Sequence, residues 1–388
     1  MALTRRAGLA VRVQIERADL ADAKTIRACD DAHLAAQRAD NPGGPWLTGT
    51  PFSGWLTVGW DGDPREVWLV RGRVEGAAGA SRTGADGGAP GRARSAGGVA
   101  GWYRLELPDR ENLDRAHLDL VVRPEQRRRG LGLALLRHAV ARAAAHGRSV
   151  LSAETWNGSP GDAFARSVGA EPGLVNVQRM LELGQLGEDR LVQLRESAGR
   201  AAAGYSLVSW TGLVPDKLIE HTAALYAALN DAPHDPGRAP EIWDAQRVRE
   251  RINGLRPRYG LRVYSVAAMK GDGQAGGGAG EMAALTELAV DPADPGWGHQ
   301  MITAVTRGHR GHRLGLLVKV ALLQLLPVSE PQLERVVTWN AQSNTHMIAV
   351  NEALGYTILG PPTTAWRLRV PALLAQSKAA QPELELER

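Results

Sequence analysis

Two stretches of this 388-residue chain carry the same pattern, with Arg127 in the first and Arg310 in the second standing 183 residues apart. The first begins with an apolar run holding Leu118, Leu120, Val121 and Val122, turns at Pro124, and passes through Arg127, Arg128, Arg129, Gly130, Leu131 and Gly132. It then enters an apolar stretch with Leu133, Leu135, Leu136, Ala139, Val140 and Ala143. In the second, Arg310, Gly311, His312, Arg313, Leu314 and Gly315 follow residues 302–306 and open a stretch with Leu316, Leu317, Val318, Val320, Leu322, Leu323 and Leu326. The same spacing carries Gly132 onto Gly315, Thr155 onto Thr338, Trp156 onto Trp339 and Asn157 onto Asn340. A register held across a loop, a helix and the next strand reads as an internal duplication.

Each copy reads as a strand, a basic glycine loop and a helix, and the chemistry lies where the helix starts. The first amides of a helix have no partner inside it, its dipole places partial positive charge there, and glycines let a bulky anion approach the backbone. The arginines add charge suited to a phosphate. For one such loop a solvated charge run is the plain alternative; the second copy argues for an anion site.

The length suits two domains of ordinary size, and a hydrophobic content of 44% fills two cores. A formal charge of +4 and a pI near 9.4 suit anionic ligands but fall short of a dedicated nucleic-acid binder. Cys29 is the single cysteine, which excludes an internal disulfide and a cysteine metal cluster. No apolar run reaches transmembrane length and the N-terminus lacks the hydrophobic core of a signal peptide. The expectation is a soluble, cytoplasmic protein with neither membrane nor nucleic acid as partner.

Along the chain, Val11, Val13 and Ile15 alternate as an opening strand, Asp19 caps a helix through Ala36, and the Gly-, Pro- and Trp-rich residues 42–60 read as loop. Strands are expected at 66–71 and 99–107. Between them, residues 76–98 are almost wholly Gly, Ala, Ser and Arg, which cannot bury a core and reads as a disordered hairpin extension. After the first loop and its helix come a strand at 149–156, a short helix around 163–167, and a strand at 175–183 that closes the first sheet. The second half repeats this order. A strand near 205–210 precedes helices at 213–229 and 240–255, broken at Asn230, Asp231, Ala232 and Pro233; strands at 262–269 and 281–290 flank a Gly-rich turn at 271–280. The second loop and helix follow, then a strand at 336–339, a helix at 346–354, a last strand at 364–370 and a charged tail from Ser377. The expected domains are 1–187 and 205–388, joined by a helical connector over 188–204.

Both halves resemble the GNAT superfamily of acyltransferases, which bind acyl-coenzyme A. The resemblance spans nearly the whole chain, and the HRGHRLG run at residues 309–315 is similar to loops of tandem GNAT proteins of actinobacterial type. It implies an α/β (α+β) fold of two tandem domains, each a mixed, mainly antiparallel sheet flanked by helices. In that family the loop runs Arg or Gln, any two residues, Gly, any residue, Gly or Ala, and its amides hold the pyrophosphate of coenzyme A. Arg127, Gly130 and Gly132 fit completely; in the second copy Arg310 and Gly315 fit, while Arg313 stands where the middle glycine is expected. The resemblance therefore assigns coenzyme binding to Arg127, Arg128, Arg129, Gly130, Leu131 and Gly132, and to Arg310, Gly311, His312, Arg313, Leu314 and Gly315. It places the donor to the thioester oxygen near Val122 in the first half and near Val305 or Thr306 in the second. Asn340 and Asn344 suit the asparagine that meets the pantetheine arm. The first half offers Asn157 and a shorter connection, 12 residues from Asn157 to Gly169 against 15 from Asn340 to Gly355. The tyrosine that in many members protonates the departing thiolate falls on Ala165 and Asn351, neither of them an acid.

Transfer of an acetyl group to an amine needs a neutral amine, a path for its proton and a donor to the thioester oxygen. Glu287, on a strand expected beside the central one, is the leading base, ahead of Asp119, Glu154 and His309. Tyr356 is a candidate proton donor. The plain readings are a strand residue facing solvent and a packed aromatic. Asn230 and Asp231 lie between the two helices that cover the acceptor in this fold and are the expected substrate contacts, Asp231 by attracting an ammonium; a helix cap or turn is the plain reading. His309 and His312 lack an acidic or cysteine partner nearby, so no metal is expected. The leading expectation is an N-acetyltransferase, monomer or homodimer, moving an acetyl group from acetyl-coenzyme A (acetyl-CoA) to a primary amine of a small molecule. One half is catalytic, the second being favoured for its fuller pantetheine wall, and the other is degenerate or structural. A transferase of a longer acyl chain, carried by a carrier protein, and a non-catalytic acyl-coenzyme A sensor are the alternatives.

Overall fold

The computed structural model describes residues 13–72, 98–271 and 280–379. The first half runs β1 (Glu16–Arg17), α1 (Ala23–Asp40), α2 (Gly49–Val58), β2 (Arg65–Arg71), β3 (Val99–Glu106), β4 (Arg115–Val122), α3 (Leu131–Ala145), β5 (Val150–Trp156), α4 (Pro160–Ser167) and β6 (Glu171–Glu182). Helix α5 (Glu188–Ala201) connects it to β7 (Tyr205–Thr211), α6 (Ile219–Ala227), α7 (Ala245–Arg247), α8 (Arg256–Tyr259), β8 (Arg262–Lys270), β9 (Glu281–Val290) and β10 (Trp297–Val305). The chain ends with α9 (Leu314–Ser329), β11 (Arg335–Ala341), α10 (Thr345–Leu354), β12 (Thr357–Ile358), β13 (Thr363–Arg369) and α11 (Val370–Ala379). The 76–98 extension and the 271–280 turn lie almost wholly outside the described residues, as do Val11 and the end of the charged tail.

Three local expectations are corrected. Residues 42–60 contain a helix: the Phe52, Trp55 and Leu56 side chains of α2 are buried with Cys29 and Trp102 against the sheet, and that burial outweighs the helix-breaking composition. Helix α1 starts three residues late because Asp22, not Asp19, accepts the amides of Lys24 and Thr25. The 240–255 helix is short and irregular: Asp244 caps α7 at the amide of Arg247 and the chain continues as a π-helical turn, Val248–Asn253, leaving Trp243 ahead of it.

Among the described residues the thirteen strands form one mixed, mainly antiparallel sheet in the order β1, β2, β3, β4, β5, β13, β6, β11, β10, β9, β8, β7, with β12 against β6. The middle of this order corrects the expectation that residues 175–183 close the first sheet. Strand β13, the last of the chain, lies antiparallel to β5, with Thr363 opposite Trp156 and Arg369 opposite Val150. Strand β6 lies antiparallel to β11, with Asn176 opposite Ala341 and Glu182 opposite Arg335. The halves have exchanged their final strands. Leu368 and Val370 are buried with Leu131, Leu135 and Leu151 of the first half; Leu181 is buried with Leu316, Val320 and Val336 of the second. The exchange also brings Trp156 and Trp339, partners in the sequence repeat, to a ring-centroid separation of 5.3 Å.

On one face of the sheet lie the long helices α3 and α9; on the other, α1 and α2 meet α6 to α8. There α2 and α8 touch across the halves. A Cβ on Gly54 would come within 2.6 Å of the Tyr259 ring, so glycine is what permits that approach, and the Tyr259 hydroxyl donates to the Gly59 carbonyl.

Candidate functional site

The two basic loops share one backbone path. A short 3-10 turn, Pro124–Gln126 or Arg307–His309, leads to an extended arginine, Arg127 or Arg310, and then to left-handed residues. In the first loop these are Arg128 and Gly130 (φ 64° and 82°); in the second, Gly311 and Arg313 (φ 87° and 55°). Arg313 thus takes the left-handed geometry that glycine takes in the first copy, a strain of about 1–2 kcal/mol for a residue with a Cβ. No side chain caps α3 or α9, so their first-turn amides face outward for an anion.

The leading arginine of each loop is held in the same way. Arg127 donates from both terminal nitrogens to Asp40 at the end of α1, at 2.7 and 2.8 Å, and from Nε to the Val122 carbonyl. Arg310 donates to Asp231 at 2.6 Å, where Arg307 also donates at 2.7 Å, and from Nε to the Val305 carbonyl. Arg128 and Arg129 sit within the turn before α3. In the second loop Arg313 donates to Ser197 on α5, and His312 faces the His309 carbonyl and the Tyr205 ring.

Beside each loop the sheet opens. Strands β4 and β5 run parallel but pair only at Arg115, Ala116 and His117; β10 and β11 pair only at Trp297, Gly298 and His299. Beyond these rungs the strands diverge, leaving the inner edge of β4 and β10 unpaired up to Val122 and Val305. In the second half a bulge between Gln300 and Ile302 bends β10 against β9; β4 runs against β3 without one. At the first loop the Phe164 ring of α4 lies 3.8 Å from where a Cβ on Gly132 would sit, whereas Gly315 faces only Val305 and Thr303 of its own central strand. An uncapped helix start at the mouth of a gap between two parallel strands suits a long ligand with a phosphate end and an amide-bearing arm. Leu131 and Leu314 begin the two helices, each buried beneath its loop.

On the α1/α2 side of the sheet a cavity of about 440 Å³ lies between the halves. Asp63, Glu106, His117, Glu154 and Asn176 line it from below, and Asp235, Arg238 and Glu241 of the second half wall it from above. His117 sits on the last rung before β4 and β5 part. Its Nε2 is 3.5 Å from Asp119 and its Nδ1 3.3 Å from Ser152. Burial works against charge on His117, but Asp119 outweighs it and raises its pKa above the ordinary value. Burial likewise opposes charge on Asp119, yet Arg104 and His117 hold its carboxyl well below the usual range. Glu154 accepts from Asn176 at 2.9 Å and from Thr363, with no cation partner among the described residues. Asp63 is pushed up to about 7 by burial, against the pull of Arg251.

The other sequence candidates lie elsewhere. Glu287 is 1% exposed and takes hydrogen bonds from Arg256 (2.5 Å), Tyr226 (2.9 Å) and Ser265 (3.2 Å). Tyr356 is buried, its hydroxyl without a partner among the described residues and its ring 4.7 Å from the Lys319 amine. Asp231 holds Arg307 and Arg310 as above, and Asn230 binds both backbone groups of Glu241, closing the 230–241 loop. Asn344 caps α10 at the Met347 amide. Asn340 accepts from Asn351, which in turn accepts from Lys319. His309 lies between Tyr205 and Glu281. Thr306 bonds the Ala283 carbonyl.

Sequence reasoning ranked the bases without using its own repeat. At the 183-residue offset Asp119 falls on Ile302, Glu154 on Val337 and Arg104 on Glu287. Ile302 packs against an apolar cluster and Val337 is buried. The second half thus lacks the carboxylates of the first gap, although His299 stands on its last rung as His117 does in the first.

Residues 60–163 match the family model described as the acetyltransferase (GNAT) family. A tandem GNAT protein from the clavulanic acid biosynthesis pathway, solved without acetyl-CoA, matches over 92% of this chain and 99% of its own, at 26% identity and a TM-score of 0.68. The chain carries a GNAT acetyltransferase domain and has the tandem GNAT fold. The same fold recurs in a GCN5-related N-acetyltransferase from Sphaerobacter thermophilus, at 15% identity over 94% of this chain and 97% of that one, TM-score 0.59. No curated protein matches the sequence at a significant level. The matched residues include the first of the two loops, Arg127 to Gly132, and this GNAT domain supports acyltransferase activity. No described helix of the chain is long and apolar enough to cross a membrane.

Proposed function

We propose that this tandem GNAT protein moves an acetyl group from acetyl-CoA to a primary amine of a small molecule, and that the first half does the chemistry. The observation that carries this reading is the fork at His117, where the β4/β5 pairing ends between an uncapped helix start on one face and the inter-half cavity on the other. The loop amides from Arg128 to Gly132 would hold the pyrophosphate, and the free edge of β4 near Val122 would donate to the thioester oxygen. The amine would enter through the cavity, where Glu154 lacks a cation and attracts an ammonium. His117, oriented by Asp119, would take the ammonium's proton so that the neutral amine can attack; as the C–N bond forms and the C–S bond breaks, the second proton the nitrogen sheds neutralises the departing thiolate.

The register that turns Asp119 into Ile302 and Glu154 into Val337 favours a second role for the other half: holding coenzyme A without chemistry. A longer acyl donor remains the competing substrate reading. Acetyl transfer to a panel of amines, followed by thiol release, tests the proposal. Asp119→Asn and His117→Ala should each lower kcat/KM by about 10²-fold or more, the ordinary contribution of a base, while the conservative Ile302→Val changes nothing. Equal rates for wild type and both first-half variants would reject it.

A further inference from the structure

Lys319 is the one lysine of α9 and is 1% exposed, in a helix otherwise lined with Leu and Val. Among the described residues its amine faces no carboxylate. It donates to Asn351 Oδ1 at 2.6 Å, and Asn351 Nδ2 donates to Asn340 Oδ1 at 2.6 Å. Asn351 is fully buried, whereas Asn340 is half-buried at the end of β11, where the strand has parted from β10.

The direction of this chain is decided at its buried end. A carboxamide has one accepting and one donating side, and an amine donor fixes which side of Asn351 faces it. The Asn351 NH2 must then face Asn340, so the oxygen of Asn340 is taken and its NH2 is turned away from the core. Packing does not require the arrangement. At the same offset the first half has Leu136, buried in an apolar helix, and Ala165 holds the place of Asn351, four residues before the glycine that follows, Gly169 against Gly355. There Asn157 is set differently, accepting from Thr364 of the exchanged strand β13.

We infer that Lys319 is a positioning residue: through Asn351 it sets the Asn340 amide as a hydrogen-bond donor to a carbonyl of an amide-bearing ligand arm lying in the β10/β11 gap. The inference rests on the reading of the second half as a coenzyme A holder.

The test is titration calorimetry of free coenzyme A into the full chain and its variants, with thermal unfolding run in parallel. Arg310→Glu identifies the binding that belongs to the second loop, and Arg127→Glu that of the first. Lys319→Met keeps the length but removes the donor; it should weaken second-loop binding about tenfold without lowering the melting temperature. Lys319→Gln, which restores a donor to Asn351, should recover most of it, and Asn340→Ala should match Lys319→Met. First-loop binding should be unchanged in all three. Affinity within twofold of wild type for Lys319→Met, or weakening of both loops together with a lowered melting temperature in Lys319→Met and Lys319→Gln alike, overturns the inference. So does an Arg310→Glu variant that binds as wild type does; acetyl transfer would then still be judged on Asp119→Asn and His117→Ala alone.

Discussion

Replacing Lys319 by Met should make the protein more stable at neutral pH and flatten the pH dependence of its stability. Burial lowers the pKa of Lys319 from an ordinary 10.5 to about 7, with no carboxylate to offset it. A depressed lysine pKa means the folded chain binds fewer protons than the unfolded chain between pH 7 and 10.5. Stability contributed by this site therefore rises as pH rises through that window, and the whole penalty is present below pH 7. A shift of 3.5 units at about 1.36 kcal/mol per unit corresponds to roughly 5 kcal/mol, of which about 4 kcal/mol is regained between pH 6 and pH 10. Methionine of similar volume carries no such term and leaves Asn351 Oδ1 unpaired, at a cost of about 1–3 kcal/mol. Below neutrality the variant should win; near pH 10 it should lose. Urea unfolding of both proteins at pH 6, 8 and 10, compared as differences so that other groups cancel, measures this directly. A difference that stays constant within about 1 kcal/mol across that range would refute the burial argument.

Three further outcomes follow from the geometry. If His117 is the base, kcat/KM should rise with pH through a midpoint above 6.5, because the imidazole must be neutral to accept a proton and Asp119 raises its pKa; in Asp119→Asn the midpoint should fall, and an unmoved midpoint would assign it to another group. Leu368→Ala, at a site 5% exposed, should cost about 2–5 kcal/mol and weaken coenzyme A binding at the first loop more than at the second, while Leu181→Ala does the reverse. The Cys29 thiol, fully buried and with its pKa pushed up to about 12, should resist a thiol reagent such as dithionitrobenzoate until the first half unfolds; fast labelling of the native protein would show that α1 opens locally.

The repeat made much of this molecule readable in advance. Two glycine-and-arginine loops before apolar helices placed both helix starts, and Asn157 and Asn340 marked the ends of equivalent strands. What sequence could not announce was partnership. Strands β6 and β13 carry residues suited to either half, and nothing local tells Trp366 that it will donate to Thr155 across 211 positions. Helix α2 was hidden because Gly, Pro and Trp weaken the helical signal, while burial of Phe52 and Leu56 supplies what propensity lacks. Glu287 drew attention as a carboxylate beside the central strand, and only coordinates show Arg256 against it. Lys319 stood unremarked inside an apolar run, since its reach to Asn351 depends on how α10 crosses α9.

Because the strand flanking β5 is supplied by residues 363–369, the first half cannot be finished while the ribosome is still making the second. Its most C-terminal neighbour arrives last, so β5 must wait with an open edge through the synthesis of some two hundred further residues. Release of a truncated chain should accordingly leave both halves unfinished, and the pair is made as a single piece or not at all.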